Sequence, residues 1–243
     1  MHEFTYHLRG VRKTYNGRQV LHIPALDVRS GEVLGIVGPS GAGKSTLLRL
    51  LNFLEAPTQG SIRFHDVTFS GKQPMPLGMR RRVTTVFQRP MLLNRSVRDN
   101  VRYGLSLRGS QDADGRVAKT LEKVGLATFA GQAARTLSGG EAQRVALARA
   151  MVLDLDAMLL DEPTANLDPY NVGLIEDIVR ELNQEKGTTL VLVTHNVFQA
   201  RRLADRVALL LEGRLIEVAD VQAFFENPRD RRTDAFVRGE MVY

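Results

Sequence analysis

The sequence predicts an α/β fold with a mostly parallel sheet at its core. Three short segments, at 33–37, 157–160 and 189–194, are apolar or β-branched throughout, as strands buried on both faces are. Apolar residues at helical spacing follow over 47–54 and 175–182. Strands that alternate with helices favour parallel crossover units. Alternating apolar residues on either side of the Asn16-Gly17 turn predict further β structure near the N-terminus.

A glycine-rich loop joins the first apolar strand to a helix. Its sequence, GPSGAGKST, fits the phosphate-binding pattern G-x-x-x-x-G-K-[ST]. In such loops backbone N–H groups face phosphate oxygens, and the helix N-terminus adds a favourable dipole. We expect Lys44 to reach the β- and γ-phosphates of a nucleotide and Ser45 to ligate Mg²⁺. The predicted nucleotide-binding residues here are Gly38, Pro39, Ser40, Gly41, Ala42, Gly43, Lys44, Ser45 and Thr46.

Composition restricts the class of protein. The chain has 243 residues and no cysteine, so disulfides and thiolate metal sites are excluded. The sequence has no signal peptide and no apolar run near the ~20 residues that span a bilayer, so we expect a soluble chain. The net charge of +6 is compatible with a nucleic acid, an anionic membrane or a nucleotide as partner. Because the arginines occur in short groups, such as 80–82 and 201–202, we interpret them as solvated faces.

The middle of the chain is predicted to be helical. A β-branched strand at 83–87 ends at Gln88, which would lie at the carboxyl edge of the sheet, where ligands bind. No convincing strand pattern occurs over 89–156. The apolar residues at 91–93 could be exposed for a partner or folded into the core. We expect one domain, with 1–88 and 157–243 as the core and 89–156 as an inserted helical subdomain.

A second anion site is predicted at the start of the next helix. Ser138 is a plausible N-cap, and Glu141 stands at the capping-box spacing. That arrangement leaves the paired glycines Gly139 and Gly140 unexplained. Their free N–H groups at a helix N-terminus would attract an anion.

Three further positions follow the later strands. Asp161 and Glu162 end an apolar strand, where Asp161 can address Mg²⁺ while Glu162 faces an attacking water. Asp168 precedes a proline and is the predicted N-cap of a helix. His195 directly follows the strand at 189–194, beside the expected phosphate site. Tyr15 precedes the glycine loop, and its spacing favours a half-buried strand tyrosine over an adenine-stacking aromatic.

The order of these motifs resembles that of the ATP-binding subunits of ABC transporters over nearly the whole chain. The stretch LSGGEAQR at 137–144 is the most specific match, since other families with a phosphate-binding glycine loop lack it. The remaining matches are GPSGAGKST at 38–46, Gln88, LLDEP at 159–163, ANLD at 165–168 and VTH at 193–195. The resemblance implies a P-loop NTPase (RecA-like) core, an N-terminal antiparallel β subdomain and an inserted helical subdomain.

The resemblance also implies roles and partners. Tyr15 becomes the adenine-stacking aromatic, Gln88 senses Mg²⁺ and water, Glu162 is the general base and His195 is the γ-phosphate switch. Ser138 and Gly140 would contact ATP held by a second subunit, and Asp168 would communicate across that homodimer. The expected cofactors are ATP and Mg²⁺. The expected partners are a membrane permease and an extracytoplasmic substrate-binding protein, with no nucleic acid.

Within the family, two stretches resemble one group of importers. Residues 88–101 are similar to those of the tungstate, molybdate and phosphate importers, and residues 194–205 are most similar to the tungstate branch. We therefore expect a peripheral ATPase on the cytoplasmic face of a bacterial or archaeal membrane that powers tungstate uptake. The alternatives are molybdate or phosphate import and export. A soluble ABC ATPase acting on ribosomes or DNA is a further alternative.

Overall fold

The computed structural model describes residues 3–240 and has a single ten-stranded sheet. Its strands are β1 (Phe4–Tyr15), β2 (Arg18–Arg29), β3 (Val33–Val37), β4 (Gln59–Phe64), β5 (Val67–Phe69), β6 (Val83–Val86), β7 (Ala157–Asp161), β8 (Thr189–Val193), β9 (Arg206–Leu211) and β10 (Arg214–Asp220). Its helices are α1 (Lys44–Leu51), α2 (Leu77–Arg80), α3 (Val97–Ser106), α4 (Ala113–Lys123), α5 (Gly139–Met151), α6 (Pro169–Lys186), α7 (Val197–Leu203), α8 (Val221–Glu226) and α9 (Arg231–Val237).

The strand order is β5-β4-β1-β2-β10-β9-β3-β8-β7-β6. β9, β3, β8, β7 and β6 form the parallel half, whereas β5, β4, β1 and β2 pair antiparallel. The predicted α/β class with a mostly parallel core and antiparallel N-terminal strands is confirmed. Because the parallel strands share one direction, the carboxyl ends of β3, β6, β7 and β8 meet at one edge of the sheet.

Both faces of the central strands are buried, which explains their continuous apolar sequences. In β3, Val33 and Val37 pack into one apolar cluster, while Leu34 and Ile36 pack into the other. The first cluster includes apolar residues of α5, α6 and α7, and the second includes four leucines of α1. Alternation along each strand therefore sends neighbouring residues into opposite cores.

Two local features are not apparent from the sequence. Strands β4 and β5 form a hairpin, because the chain turns at His65, which has a φ of 49°, and β5 returns along β4. Helix α9 lies in a stretch whose sequence gave no secondary-structure signal, and Asp230 caps it by accepting a hydrogen bond from the backbone N–H of Arg232. Among residues 3–240, no helix combines the length and the apolar composition that a bilayer crossing requires.

Candidate nucleotide site

The carboxyl edge of the parallel strands borders an open cavity of ≈ 820 Å³. The glycine loop and the residues that follow β6, β7 and β8 surround it. Its lining comprises Arg18, Gln19, Val20, Ser40, Gly41, Ala42, Gly43, Lys44, Ser45, Thr46, Gln88, Asp161, Glu162, His195, Glu212 and Gly213. The fold thus brings together most of the predicted site residues from four separate parts of the sequence.

Close packing explains two glycines of the loop. Gly38 has a φ of 147°, and a Cβ there would lie 2.1 Å from the backbone oxygen of Leu210. Gly43, the N-cap of α1, has a φ of 98°, and a Cβ would lie 3.0 Å from the oxygen of Val20. Any side chain would therefore displace neighbouring backbone or force strain. The loop turns tightly at these positions, and α1 begins at Lys44 with its N-terminus at the cavity.

Lys44 is held at the rim of the loop. Its side chain is largely buried, and Nζ donates to the backbone oxygens of Gly38 at 2.6 Å and Pro39 at 2.8 Å. Burial lowers the pKa of Lys44, while the carboxylates of Glu162 and Asp161 act in the opposite direction. These carboxylates favour the protonated ammonium, which is the form that can neutralise a phosphate.

Three oxygen-bearing side chains meet where Mg²⁺ is predicted. Asp161, Ser45 and Gln88 all line the cavity. Burial raises the pKa of Asp161, and the nearby Ser45 hydroxyl acts in the opposite direction. Hydroxyl, amide and carboxylate oxygens are the ligands that Mg²⁺ takes, together with phosphate oxygens and water. The donor set therefore fits the metal.

Glu162 and His195 form a hydrogen-bonded pair across the ends of β7 and β8. Nδ1 of His195 contacts Oε2 of Glu162, and the Glu162 N–H donates to the oxygen of Val193 at 2.9 Å. Glu162 has a φ of 49°, so the backbone leaves the extended conformation at this residue. The carboxylate is mostly buried, whereas the imidazole is 66% exposed. A buried carboxylate with an exposed imidazole partner thus lines the cavity at the predicted phosphate site.

The predicted second anion site lies outside this cavity. Ser138 and Glu141 form the expected capping box, in which the Ser138 N–H donates to the Glu141 carboxylate at 2.8 Å. Ser138, Gly139 and Gly140 are absent from the cavity lining, and Ser138 and Gly139 are exposed. The N-terminus of α5 is therefore available to another molecule.

Asp168 caps α6 and leads to a residue that the sequence analysis missed. Oδ1 of Asp168 accepts from the Asn171 N–H at 3.1 Å, and Oδ2 accepts from Asn171 Nδ2 at 2.6 Å. These bonds lower the pKa of Asp168. The Asn171 side-chain oxygen also accepts from Nη1 of Arg144 at 2.8 Å. Asn171 thus joins the cap of α6 to helix α5, and its three-residue spacing from Asp168 was the available signal.

Tyr15 lies apart from the cavity lining. Its hydroxyl donates to Glu55, and Nζ of Lys13 lies 5.0 Å from its ring centroid. Arg18 and Glu212, which the sequence analysis did not single out, do line the cavity. Arg18 is the first residue of β2, and Glu212 lies in the turn between β9 and β10. Their position depends on sheet topology, which no local motif reveals.

Comparison with known proteins agrees with this geometry. Residues 21–165 match the family model described as ABC transporter. The chain is 43% identical to a phosphate import ATP-binding protein of Natronomonas pharaonis, over 96% of this chain and 86% of the relative. It is 42% identical to a methionine import ATP-binding protein of Caulobacter vibrioides, over 94% of this chain and 70% of the relative.

A solved structure shows a similar fold. An ATP-binding cassette, solved as a dimer in a post-hydrolysis state with ADP and phosphate, matches with a TM-score of 0.79 and 30% identity. The match covers 89% of this chain and 98% of that one. The chain therefore belongs to the ABC transporter family and is an ATPase of that family, which uses ATP with Mg²⁺.

Proposed function

We propose that this chain is the ATPase subunit of an importer for a small oxyanion, with tungstate as its substrate. The observation that carries the ATPase part is the convergence of Lys44, Asp161, Glu162 and His195 on one cavity. The oxyanion part rests on the similarity to a phosphate import protein and on the tungstate-like stretch at 194–205.

The side chains divide the work of hydrolysis. Backbone N–H groups of the loop and the Lys44 ammonium would bind the phosphates and offset their negative charge. Ser45, Asp161 and Gln88 would hold Mg²⁺, which supplies further charge stabilisation when bound. Glu162 would accept a proton from the attacking water, and His195 would donate a hydrogen bond at the γ-phosphate. The hydrogen bond between Glu162 and His195 would hold the proposed general base next to the side chain that contacts the γ-phosphate.

A second copy would complete the site. Ser138 and Gly140 lie on α5, outside the cavity that contains Lys44. Their predicted role at the γ-phosphate therefore requires the α5 N-terminus of a partner chain. The similar cassette was solved as a dimer, which supports a homodimer with two composite sites.

The groove near Gln88 is the proposed contact with a membrane permease. Phe87 is 50% exposed and Met91 is 88% exposed, whereas Leu92 packs against the core. Large exposed apolar residues beside the nucleotide site suit contact with a partner protein that moves when the site closes on ATP. The chain would then be peripheral to the cytoplasmic face of the membrane, with an extracytoplasmic binding protein that delivers the anion to the permease.

Phosphate is the second candidate substrate, because the relative from Natronomonas imports phosphate. The oxyanion itself would not touch this subunit, so its cavity does not distinguish the anions. Molybdate follows from the same sequence resemblance. The ATP-binding protein of a methionine importer is also similar to this chain. We therefore infer that the permease, and not the ATPase subunit, determines which substrate is transported.

The test is uptake in cells that lack this chain. We expect tungstate accumulation to be lost while phosphate and molybdate uptake remain normal. Loss of phosphate uptake alone would replace tungstate by phosphate. Normal uptake of all three anions, together with ATPase activity stimulated by RNA or DNA, would support a soluble nucleic-acid role and contradict the importer proposal.

A further inference from the structure

A strongly basic segment runs from the end of the β4–β5 hairpin through α3. Residues 71–108 contain nine lysines and arginines and one acidic residue, which gives a net charge of +8. The whole chain carries +6, so the remainder is slightly acidic. The basic character of this protein is therefore concentrated in one stretch, and the proposed ATPase chemistry uses none of the lysines and arginines in it.

Two helix ends within this segment meet in space. The Arg108 guanidinium, just after α3, donates to the backbone oxygen of Arg81, just after α2. Leu77 opens α2 and is 60% exposed, and Leu107 follows α3 and is 61% exposed. Arg80 and Arg81 are exposed beside them. We call these five residues, Leu77, Arg80, Arg81, Leu107 and Arg108, the basic–leucine patch.

The patch holds like charges with few counter-charges. Within residues 3–240, the side chains of Arg80 and Arg81 form no ion pair, whereas the neighbouring Arg82 is paired with Asp156 at 2.6 Å. Burial and the nearby Arg81 lower the pKa of Arg108, while Asp154 acts in the opposite direction. Crowded guanidinium groups with few acidic partners, of which Arg80 and Arg81 have none in an ion pair among the described residues, favour an external anion.

The position of the patch separates it from the nucleotide site. Arg82 directly precedes β6, and Gln88 follows the other end of the same strand. None of the five patch residues lines the cavity. The patch therefore lies toward the opposite end of β6, away from ATP and from the edge that a second copy would close.

We propose that the basic–leucine patch binds the anionic headgroups of a membrane surface. Guanidinium groups form paired, charge-assisted hydrogen bonds with phosphate oxygens. Exposed leucines beside basic residues are typical of surfaces that enter the headgroup region. A single-stranded nucleic acid would instead need aromatic rings on which bases stack. The proposal depends on the proposed function in one respect, namely that this chain lies beside a membrane.

The test uses the purified full chain and lipid vesicles without any permease. Vesicles that contain phosphatidylglycerol should co-sediment the chain at low salt, and vesicles of phosphatidylcholine should not. Since each arginine near such a surface is worth about a fivefold change in binding, Arg80→Gln with Arg81→Gln should weaken binding by about 25-fold. The matched control, Arg214→Gln with Arg231→Gln, removes the same charge from exposed positions elsewhere and should change it little.

Both double variants should keep the parental ATPase rate without permease, which shows that they fold. Equal loss of binding in the control would mean that net charge alone acts, and it would overturn the proposal. The proposal would also be overturned if the chain did not bind anionic vesicles, or if these arginines bound an acidic permease segment or RNA instead. Because no transport is measured, a failure here leaves the uptake experiment unaffected, and the reverse also holds.

Discussion

Glu162 shows how one backbone angle sets the chemistry of a side chain. Asp161 is the last residue of β7, and the nearby Ser45 hydroxyl acts to lower its pKa. The positive φ of Glu162 ends the strand, and its N–H bond to Val193 fixes the turn. Two adjacent acids thereby serve different partners, Ser45 and His195.

We predict that Glu162→Gln abolishes turnover and leaves ATP binding intact. Glutamine has the same size and can still contact His195, but it cannot accept a proton from water. Phosphate release should fall by about 10²–10⁴-fold, the usual contribution of a general base. Size-exclusion chromatography with ATP should still show the dimer.

The control for this variant is Glu212→Gln, because Glu212 is an exposed carboxylate that also lines the cavity but has no contact with His195. It should hydrolyse ATP near the parental rate. A Glu162→Gln chain that hydrolyses ATP as fast as the parent would remove Glu162 from its assigned role.

Tyr15 is the residue whose assignment differs most between resemblance and geometry. If it stacks on adenine, Tyr15→Ala should weaken ATP binding about threefold to tenfold, as the loss of an aromatic stack does. Isothermal titration with ATP measures this. Tyr103→Ala, which removes a tyrosine of similar exposure far along the chain, should bind ATP as the parent does. Unchanged affinity in the Tyr15 variant would make it a structural tyrosine bonded to Glu55.

At this scale, local motifs predicted the loop, the two acids and His195 because each lies within a few residues of a strand end. Asn171 was missed, since its importance comes from Arg144, which lies on another helix. Arg18 and Glu212 were missed for a similar reason: only the sheet brings them to the cavity.

The start of α5 is fixed against α6 by one close contact. A Cβ on Gly140 would lie 2.3 Å from Oδ1 of Asn171, the atom that accepts from Arg144. Gly140 thus has a packing reason in addition to the anion site predicted from sequence. The N-terminus of α5 and the cap of α6 are held together as one unit.

We predict that Gly140→Ala lowers ATPase activity about tenfold without changing the ATP affinity of the monomer. The methyl group must push Asn171 aside, and a cost of about 1.4 kcal/mol in positioning corresponds to that factor. Gly173→Ala is the control, because a Cβ at that position of α6 meets nothing within 4 Å. Reduced ATP binding by the isolated Gly140→Ala chain would show that α5 acts on its own cavity.

Helices and strands were predicted best where the apolar residues repeat at a regular spacing and capping residues mark the ends. Helix α6 has the N-cap Asp168, a proline at its first position and the C-cap Gly187, and its start at Asp168-Pro169 was predicted correctly. Helix α9 has only a short mixed sequence and was not predicted. The sequence alone does not identify Asp230 as its N-cap, because that role depends on the hydrogen bond from the backbone N–H of Arg232 that the folded chain forms.

For the whole molecule, the separation of Ser138 from the Lys44 cavity implies function in pairs. Neither Lys44→Ala nor Ser138→Arg should hydrolyse ATP alone. Mixed together, the two variants can form a heterodimer with one intact composite site, in which the Lys44 of one chain faces the Ser138 of the other. Recovered activity of up to about a quarter of the parental rate is expected.

A mixture as inactive as its components would contradict the composite site. The measurement is phosphate release after the two chains are combined in equal amounts, with each variant alone as reference. A mixture of Lys44→Ala with Asp161→Asn provides the matched control, since both changes damage the same half-site and leave every heterodimer without a complete one.

The sequence predicted the class of the fold but not its strand order. Apolar strands and alternating helices indicate a parallel sheet, whichever strands are neighbours. The pairing of β3 with β9 and β8 depends on contacts between residues far apart in the chain. Such contacts leave no local periodic signal, so only the structure shows that the hairpin at Gly213 supports the glycine loop through a bond to Ala42.

That strand order has a consequence for synthesis on the ribosome. β3, which leads into the glycine loop, is paired only with β8 and β9, and β9 begins about 170 residues after β3 ends. At about 5–20 residues per second, the loop waits about 10–30 s for its neighbour. Meanwhile β1, β2 and β4 can already pair with one another. The nascent chain thus gains its ATP site only when translation is nearly finished.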